Sequence, residues 1–401
     1  MPNHNNNTYT ILREVYAQRT GISDIASIDL QGIIDAGKAW SDIEKEQFLN
    51  ALSAAYMNTI YLNAEYNDRY NDIFYEDSHR FGAITRAISI EIPEVIANPA
   101  WDAIVSGTTT IGSNVVYLPI VNETLFATTT SWALPVAYTG TQLDQAFSSV
   151  DGLIEFEAYV NLVAQNGVKA HRAYMNGINR NNYIGEKIAL QNTQATKKHV
   201  VNLVQEYCDY TGATSMTAKA FLQNQNAIRY AIKTLKKYKS LMMDNTVLFT
   251  SNAESRGQFV NPDRFVFQIL SDFEGLIESE VYSSTFHEEF VKLPFYRNVP
   301  SWQALNSGDS IADFDTLSSI EVTTSSGTEV SQSGIVAFMC DKWAIMHTNV
   351  KNRVGVQRDD IKDITLNQFQ FTDKYMNNLT LNGCVFVVQD VSAPAATNLK
   401  K

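Results

Sequence analysis

Two long stretches of the chain place apolar residues at helical spacing. In residues 141–179 they follow steps of three and four, which predicts one long helix. Gly152 and Gly167 each weaken this helix by about 1 kcal/mol relative to Ala, so we expect bends at both. The apolar stripe consists of Leu143, Phe147, Val150, Ile154, Ala158 and Leu162.

The second helical stretch, residues 217–240, has a basic side as well as an apolar one. We weigh three interpretations of the basic side: an ordinary solvated face, a contact with an acidic segment of a neighbouring subunit such as residues 272–280, and direct contact with DNA. The apolar positions are Phe221, Ile228, Ile232 and Leu235, and the basic side consists of Arg229, Lys233, Lys236 and Lys237.

A period of two residues marks an extended arm. Residues 88–92 alternate strictly between apolar and polar, which predicts a half-buried strand, and residues 115–121 predict a second one. The two strands and the long connection between them form a β-arm that contains too few apolar residues to fold alone. Residues 128–138 are expected to extend the same system.

The remaining elements are predicted from shorter patterns. Residues 29–37 and 41–62 predict helices, and Pro262 is expected to open a helix that runs to about Leu270. Residues 335–340 and 343–347 are apolar runs that predict a buried hairpin. Further strands are predicted at residues 246–250, 320–324, 365–372 and 379–389.

Composition favours a protein that buries surface against its own copies. Charged residues make up 18% of the chain, below the roughly one quarter usual for soluble domains, and 45% are hydrophobic. The net charge of −12 argues against a general nucleic-acid binder. The three cysteines form no CxxC pair, and Cys340 and Cys384 lie in apolar runs typical of buried thiols. We see no signal peptide and no membrane span.

No catalytic, cofactor-binding or metal-binding residues are predicted. The chain contains no phosphate-binding or dinucleotide-binding glycine motif, and residues 107–112 (GTTTIG) are not followed by a Lys. His287 precedes two glutamates as in metalloprotease helices, but the second His that a metal needs is replaced by Val291.

The order of three segments resembles a known family. The first is residues 143–147 (LDQAF) through Tyr174 and Met175, and the second is residues 228–242 followed by residues 260–265 (VNPDRF). The third is residues 335–347 with the strands at 368–371 and 384–388. In this order they resemble the major capsid proteins of tailed phages that have the Hong Kong 97-type fold, in particular those of phi 29-like short-tailed phages.

The resemblance implies an α+β Hong Kong 97-type fold with a long spine helix. Its parts are an N-terminal arm (1–75), an extended loop with adjoining strands (76–138), a peripheral domain around the spine helix (139–205), an axial domain (206–334), and returning peripheral strands with a C-terminal tail (335–401).

As the resemblance implies, the chain is expected to be a non-enzymatic head protein of the virion. Its partners are copies of itself in hexamers and pentamers, a scaffolding protein, a portal and packaged DNA held without sequence specificity; assembly takes place in the host cytoplasm. Two alternatives remain: a tail-tube or sheath protein, and a soluble enzyme whose site is assembled from distant residues such as Asp341, His347 and Asp359.

Overall fold

A computed structural model gives the arrangement of most of the chain. The residues that it describes are 13, 15–20, 30–40, 44, 47–48, 75–78, 85–90, 121–126, 128–139, 142, 150–251, 257–279, 296–305, 313–359, 362 and 364–392. The predicted helix at 41–62 and the Gly-Thr loop at 107–112 lie wholly or largely outside them.

A single helix organises the described residues. Helix α2 (Val150–Thr193) has 44 residues and is therefore about 66 Å long. The predicted end at Asn179 is wrong, because the helix continues through a segment whose pattern is not amphipathic. That segment buries polar side chains such as Arg180, Asn181 and Lys187 beside apolar ones, so no apolar stripe marks it in the sequence.

The other helices are shorter. Residues 29–37 are confirmed as α1 (Leu30–Ala39). The helix predicted over 217–240 is two helices, α4 (Ala218–Leu222) and α5 (Gln225–Met243), because Asn224 interrupts the first and caps the second by accepting bonds from the backbone N–H groups of Asn226 and Ala227. The remaining helices are α3 (Leu203–Thr211), α6 (Ser271–Ile277) and α7 (Phe314–Leu317).

A five-stranded sheet forms the main core. Its order is β5 (Val200–Asn202), β13 (Gly383–Val387), β10 (Ile335–Asp341), β6 (Phe265–Leu270) and β7 (Arg297–Val299). Every residue of β10 and β13 is buried.

Helices cover both faces of this sheet. Tyr183 of α2 packs on Phe338 with ring centroids 5.8 Å apart, and Tyr238 of α5 packs on Phe386 at 5.5 Å. Phe386 pairs with Ala337, the residue before Phe338, so the two phenylalanines point to opposite faces. The sheet is therefore the middle of three layers.

A four-stranded sheet packs on the earlier half of α2. Its order is β1 (Tyr75–Ser78), β11 (Ile345–Asp359), β12 (Ile364–Asn377) and β4 (Thr130–Thr139). The final strands are confirmed, although β12 is longer than expected. β4 does not extend the arm as predicted, because it pairs along its whole length with β12.

Three further predictions are wrong. Residues 335–340 and 343–347 are not a hairpin, because a 3₁₀ turn (Lys342–Ala344) sends the chain from one sheet into the other. Pro262 opens only a 3₁₀ turn (Pro262–Arg264), after which the chain becomes strand β6, buried between β10 and β7. The strand predicted at 246–250 is an isolated bridge between Thr246 and Gln258.

Two small antiparallel pairs complete the described elements. β8 (Ile320–Thr323) confirms the strand predicted near 320 and pairs with β9 (Glu329–Gln332). β2 (Thr85–Ile90) confirms that the first arm segment is a strand, but its expected burial is wrong at Ile88, which is exposed. Its partner β3 (Val121–Phe126) begins where the second strand was predicted to end.

Two glycines of α2 allow neighbouring strands to approach the helix closely. A Cβ atom at Gly167 would lie 2.8 Å from Cδ2 of Leu134 on β4, and one at Gly185 would overlap Cγ2 of Val322 on β8. The space around Gly177 is empty to 4 Å. The bend predicted at Gly167 stays a prediction, but this contact gives that glycine a packing role.

Gly185→Ala should therefore destabilise the protein by about 1–3 kcal/mol, because Val322 must move away from the helix. The matched variant Gly177→Ala should stabilise it by about 0.5–1 kcal/mol, because alanine favours a helix interior and meets no neighbour. Urea unfolding of the full chain measures both free energies. Equal stabilisation by the two substitutions would contradict the close packing at Gly185.

Candidate assembly surfaces and their anchors

A buried carboxylate joins three elements at the base of the four-stranded sheet. Asp373 of β12 is fully buried. It accepts hydrogen bonds from Trp132 Nε1 of β4 at 2.8 Å and from Asn349 Nδ2 of β11 at 2.6 Å. Arg172 Nη2 of α2 lies 3.4 Å from its Oδ1 atom, and the Arg172 side chain is buried as well. Separating any of these elements would expose or isolate a charge.

The surroundings keep Asp373 ionised. Burial alone would raise its pKa, but His347, whose Nε2 atom lies 3.7 Å from Oδ1, acts with Arg172 and Asn349 in the other direction. The net effect lowers the pKa of Asp373 to about 2. Asp373 therefore carries a negative charge at neutral pH and compensates the buried guanidinium of Arg172.

Aromatic stacking extends this anchor to β4. The Trp132 ring lies between Phe371 and His171, with centroid distances of 4.3 and 4.2 Å. Burial is the main cause that lowers the pKa of His171. Because β4 follows β3 closely in the chain, fixing Trp132 fixes the point where the arm joins the body.

A buried lysine holds two loops against α2. Lys187 Nζ donates to the backbone carbonyl oxygens of Phe249, Leu379 and Leu381 at 2.8, 3.1 and 3.3 Å. Three acceptors match the three donors of an ammonium group. Burial lowers the pKa of Lys187 to about 7, so the charge of this group is costly and depends on those carbonyls.

The β2–β3 pair exposes an apolar face. Ile88, Val121 and Leu125 are 57%, 53% and 58% exposed. The strand register places these three on one face of the ribbon, together with the ion pair between Arg86 and Glu123. A two-stranded hairpin is at best marginally stable in water, so this face is suited to packing against another surface.

The predicted basic residues lie on the outer side of α5. Arg229, Lys233 and Lys237 are exposed and Lys236 is half-buried. Lys237 Nζ donates to Glu206 of α3 at 2.9 Å, so it is used within the subunit. Lys233 instead lies over the rings of Tyr210 and Tyr230.

The carboxylate opposite Lys237 is ionised. Burial opposes ionisation of Glu206, but hydrogen bonds from Lys237 and from the Tyr238 hydroxyl, 2.9 Å from Oε1, outweigh it and lower the pKa of Glu206. The sequence prediction missed the tyrosines beside this pair. The three-residue spacing of Tyr207 and Tyr210 on α3 was the available signal.

The residues of the alternative enzyme site are not brought together. His347 and Asp359 lie twelve residues apart on the same strand, a separation of about 40 Å, and Asp341 belongs to the other sheet. Within the described residues no cluster of side chains suits a metal ion, and His287 lies outside them.

The cysteines and the possibility of a membrane-spanning helix were also considered in the sequence. All three cysteines are buried and free, as expected for Cys340 and Cys384, and burial raises the pKa of each thiol. No helix in the described part of the chain is long and apolar enough to cross a membrane.

Asp373→Asn should reduce the acid sensitivity of folding. Because the folded-state pKa lies below the ordinary 3.8, the charge stabilises the fold fully above about pH 4. That contribution, about 2 kcal/mol, is lost as the pH falls towards about 2. The variant should be less stable at neutral pH, since Arg172 loses its counter-charge, and its stability should fall less between about pH 5 and about pH 3. Urea unfolding across this range measures the difference.

Asp263→Asn, a change at an exposed aspartate, serves as the control and should follow the wild type. Equal pH dependence of the wild type and Asp373→Asn would show that the Asp373 charge does not stabilise the fold.

Comparison with known proteins finds solved structures that resemble this fold. In the solved capsid of Staphylococcus phage Andhra, a chain matches with a TM-score of 0.51 and 9% identity, over 80% of this chain and 84% of that one. A chain in the solved structure of the head fibre and inner core protein gp22 of native bacteriophage P68 matches with a TM-score of 0.48 and 8% identity, over 80% of this chain and 85% of that one. No curated protein sequence matches significantly.

The likeness to the Andhra capsid chain concerns the fold, and it confirms the α+β architecture of the Hong Kong 97 type. The sequence itself matches the family model for Phi29-like phage major capsid proteins over residues 10–387. A match to that family leaves the tail-tube, sheath and enzyme alternatives without support. Because the matched region is most of its length, the chain belongs to the Phi29-like phage major capsid protein family.

Proposed function

We propose that this capsid protein forms hexamers and pentamers that close into an icosahedral shell around the phage genome. Family membership makes it a shell component of the virion. The observation that carries the finer proposal is the exposed apolar face of the β2–β3 arm. In a chain with a well-filled core, three large aliphatic side chains more than half exposed on one ribbon indicate a surface that is covered in the assembly.

The arm meets a neighbouring subunit in this proposal. Its attachment to the body is fixed close to the end of β3, because Trp132 of β4 donates to Asp373. Because Ile88, Val121 and Leu125 are a little more than half exposed, covering each one fully against an adjacent copy contributes about 1–1.5 kcal/mol. The same contact recurs in every subunit, and closed symmetry adds these modest contributions into a stable shell.

Charge distinguishes a container from a DNA-binding protein. The net charge of −12 repels nucleic acid on average, so the inner surface confines packaged DNA without reading its sequence. No catalytic step is assigned to the chain in this proposal.

The remaining partners and boundaries belong to the same proposal. A scaffolding protein guides assembly in the host cytoplasm, and a portal provides the entry for DNA. Residues 1–75 act as an N-terminal arm, 76–138 as the extended loop, 139–205 and 335–401 as the peripheral domain, and 206–334 as the axial domain.

Purified full-length protein, expressed with and without its scaffolding protein, should give closed particles by electron microscopy in at least one condition. Small soluble oligomers under every condition would contradict the shell proposal.

Val121→Asp should prevent particle formation while leaving the unfolding midpoint within error, because the side chain is exposed in the subunit and covered in the shell.

The matched control is Val247→Asp, which makes the same change at a valine that is 39% exposed outside the arm. It should assemble like the wild type. Normal particles from Val121→Asp would show that the arm face is not buried on assembly.

A further inference from the structure

A chain of aromatic rings connects the core to the surface beside α5. Phe221 is fully buried and packs edge-on against Tyr207 at 6.0 Å. Tyr207 contacts Tyr230 at 5.7 Å, and Tyr230 stacks on Tyr210 at 4.6 Å with an interplanar angle of 24°. Tyr210, at the end of this series, is 64% exposed. An exposed tyrosine is here fixed in place by its neighbours.

A lysine is held at the outer end of the series. Lys233 Nζ lies 5.2 Å from the Tyr210 ring centroid and 5.6 Å from that of Tyr230, within the range of cation–π attraction. Glu206, the carboxylate of α3 that faces α5, is paired with Lys237. We call Tyr210, Tyr230 and Lys233 the tyrosine ledge.

The ledge has the properties of a binding hot spot. Tyrosine is enriched in such sites because it offers a large contact area and loses little conformational entropy. At the ledge the rings already stack on one another in the subunit, so binding a partner costs them little further conformational entropy. The positive charge at its outer end requires a partner that is acidic.

An acidic surface with complementary properties lies on α6. Glu274 is half-buried and Glu278, at the end of the helix, is exposed. They are four residues apart, a spacing at which like charges repel on a helix. Neither carboxylate has an ion pair with a described residue. A cation supplied by another molecule would relieve this repulsion.

The two surfaces do not meet within one subunit, since neither Glu274 nor Glu278 pairs with Lys233. Tyr230 and Lys239 are nine residues apart on α5 and therefore project from about opposite sides of the helix. Tyr230 faces α3, whereas Lys239 lies over Phe265, the first residue of the strand that leads into α6. The ledge thus lies on the side of α5 opposite to the start of β6, the strand that leads into α6.

We propose that the tyrosine ledge of one copy binds the acidic pair Glu274 and Glu278 on α6 of a second copy. A contact between two different surfaces of identical subunits is head-to-tail, and when its rotation closes it generates a ring. The inference rests on the proposed function, since it supplies a lateral contact within the hexamers and pentamers. It selects Lys233 from the four residues of the predicted basic side of α5 and names its partner.

Charge reversal tests the contact in the full chain under the conditions in which the wild type forms particles. Lys233→Glu and Glu274→Lys should each reduce particle yield by about tenfold or more, because each places like charges opposite one another. The double variant Lys233→Glu/Glu274→Lys should restore the yield. Lys219→Glu, the same change at an exposed lysine of α4, is the control and should assemble normally.

Thermal unfolding of the unassembled chains separates assembly from folding, and both single variants should unfold within a few degrees of the wild type. Particle yield of the single variants should also differ less from the wild type at high salt, because screening weakens the repulsion. Normal assembly by Lys233→Glu, or failure of the folded double variant to recover, overturns the inference. Absence of particles from the wild type itself would instead count against the proposed function.

Discussion

The structure depends on the compensation of a buried negative charge. Asp373 lies where solvent is absent, and its charge is stabilised by groups that come from three elements: Arg172 of the spine helix, Asn349 of β11 and Trp132 of β4. Removing one partner from such a group is costly because the charge that remains cannot be solvated. The helix, the long hairpin and the strand that carries the arm are therefore held as one unit.

Some apolar surfaces are covered within the subunit, and others are left in solvent. The five-stranded sheet is covered on both faces, and its central strands have no exposed residue. The β2–β3 ribbon has large aliphatic side chains in solvent, and the tyrosine ledge holds ordered rings there. A rigid body that presents such surfaces in fixed directions is what a repeated assembly needs, since contacts form without a large loss of conformational entropy.

Local patterns were enough to predict an element wherever one regular period of apolar or charged residues runs along it. The stripe of apolar residues predicted the spine helix up to Asn179, and strict alternation predicted β2. Three of the four residues on the basic side of α5 are exposed, as their spacing predicted. The order of three segments, two of which contain parts of the spine helix and of α5, carried the family resemblance, which the family model confirms. The sequence placed Lys233 on a basic side and carried a signal in the spacing of Tyr207 and Tyr210, but the stacking of Tyr210 on Tyr230 depends on residues distant in the chain.

The sequence by itself determined the periodic elements, the acidic character and the buried thiols, since each follows from residue type and local spacing. Tertiary structure decided the rest. The segment after Pro262 is a strand because β10 and β7 lie on either side of it, and the apolar runs around Lys342 separate because two sheets bury them. Lys187 and Arg172 are core residues because distant carbonyls and Asp373 compensate them. A side chain's burial depends on its partners, and those are known only when the chain is folded.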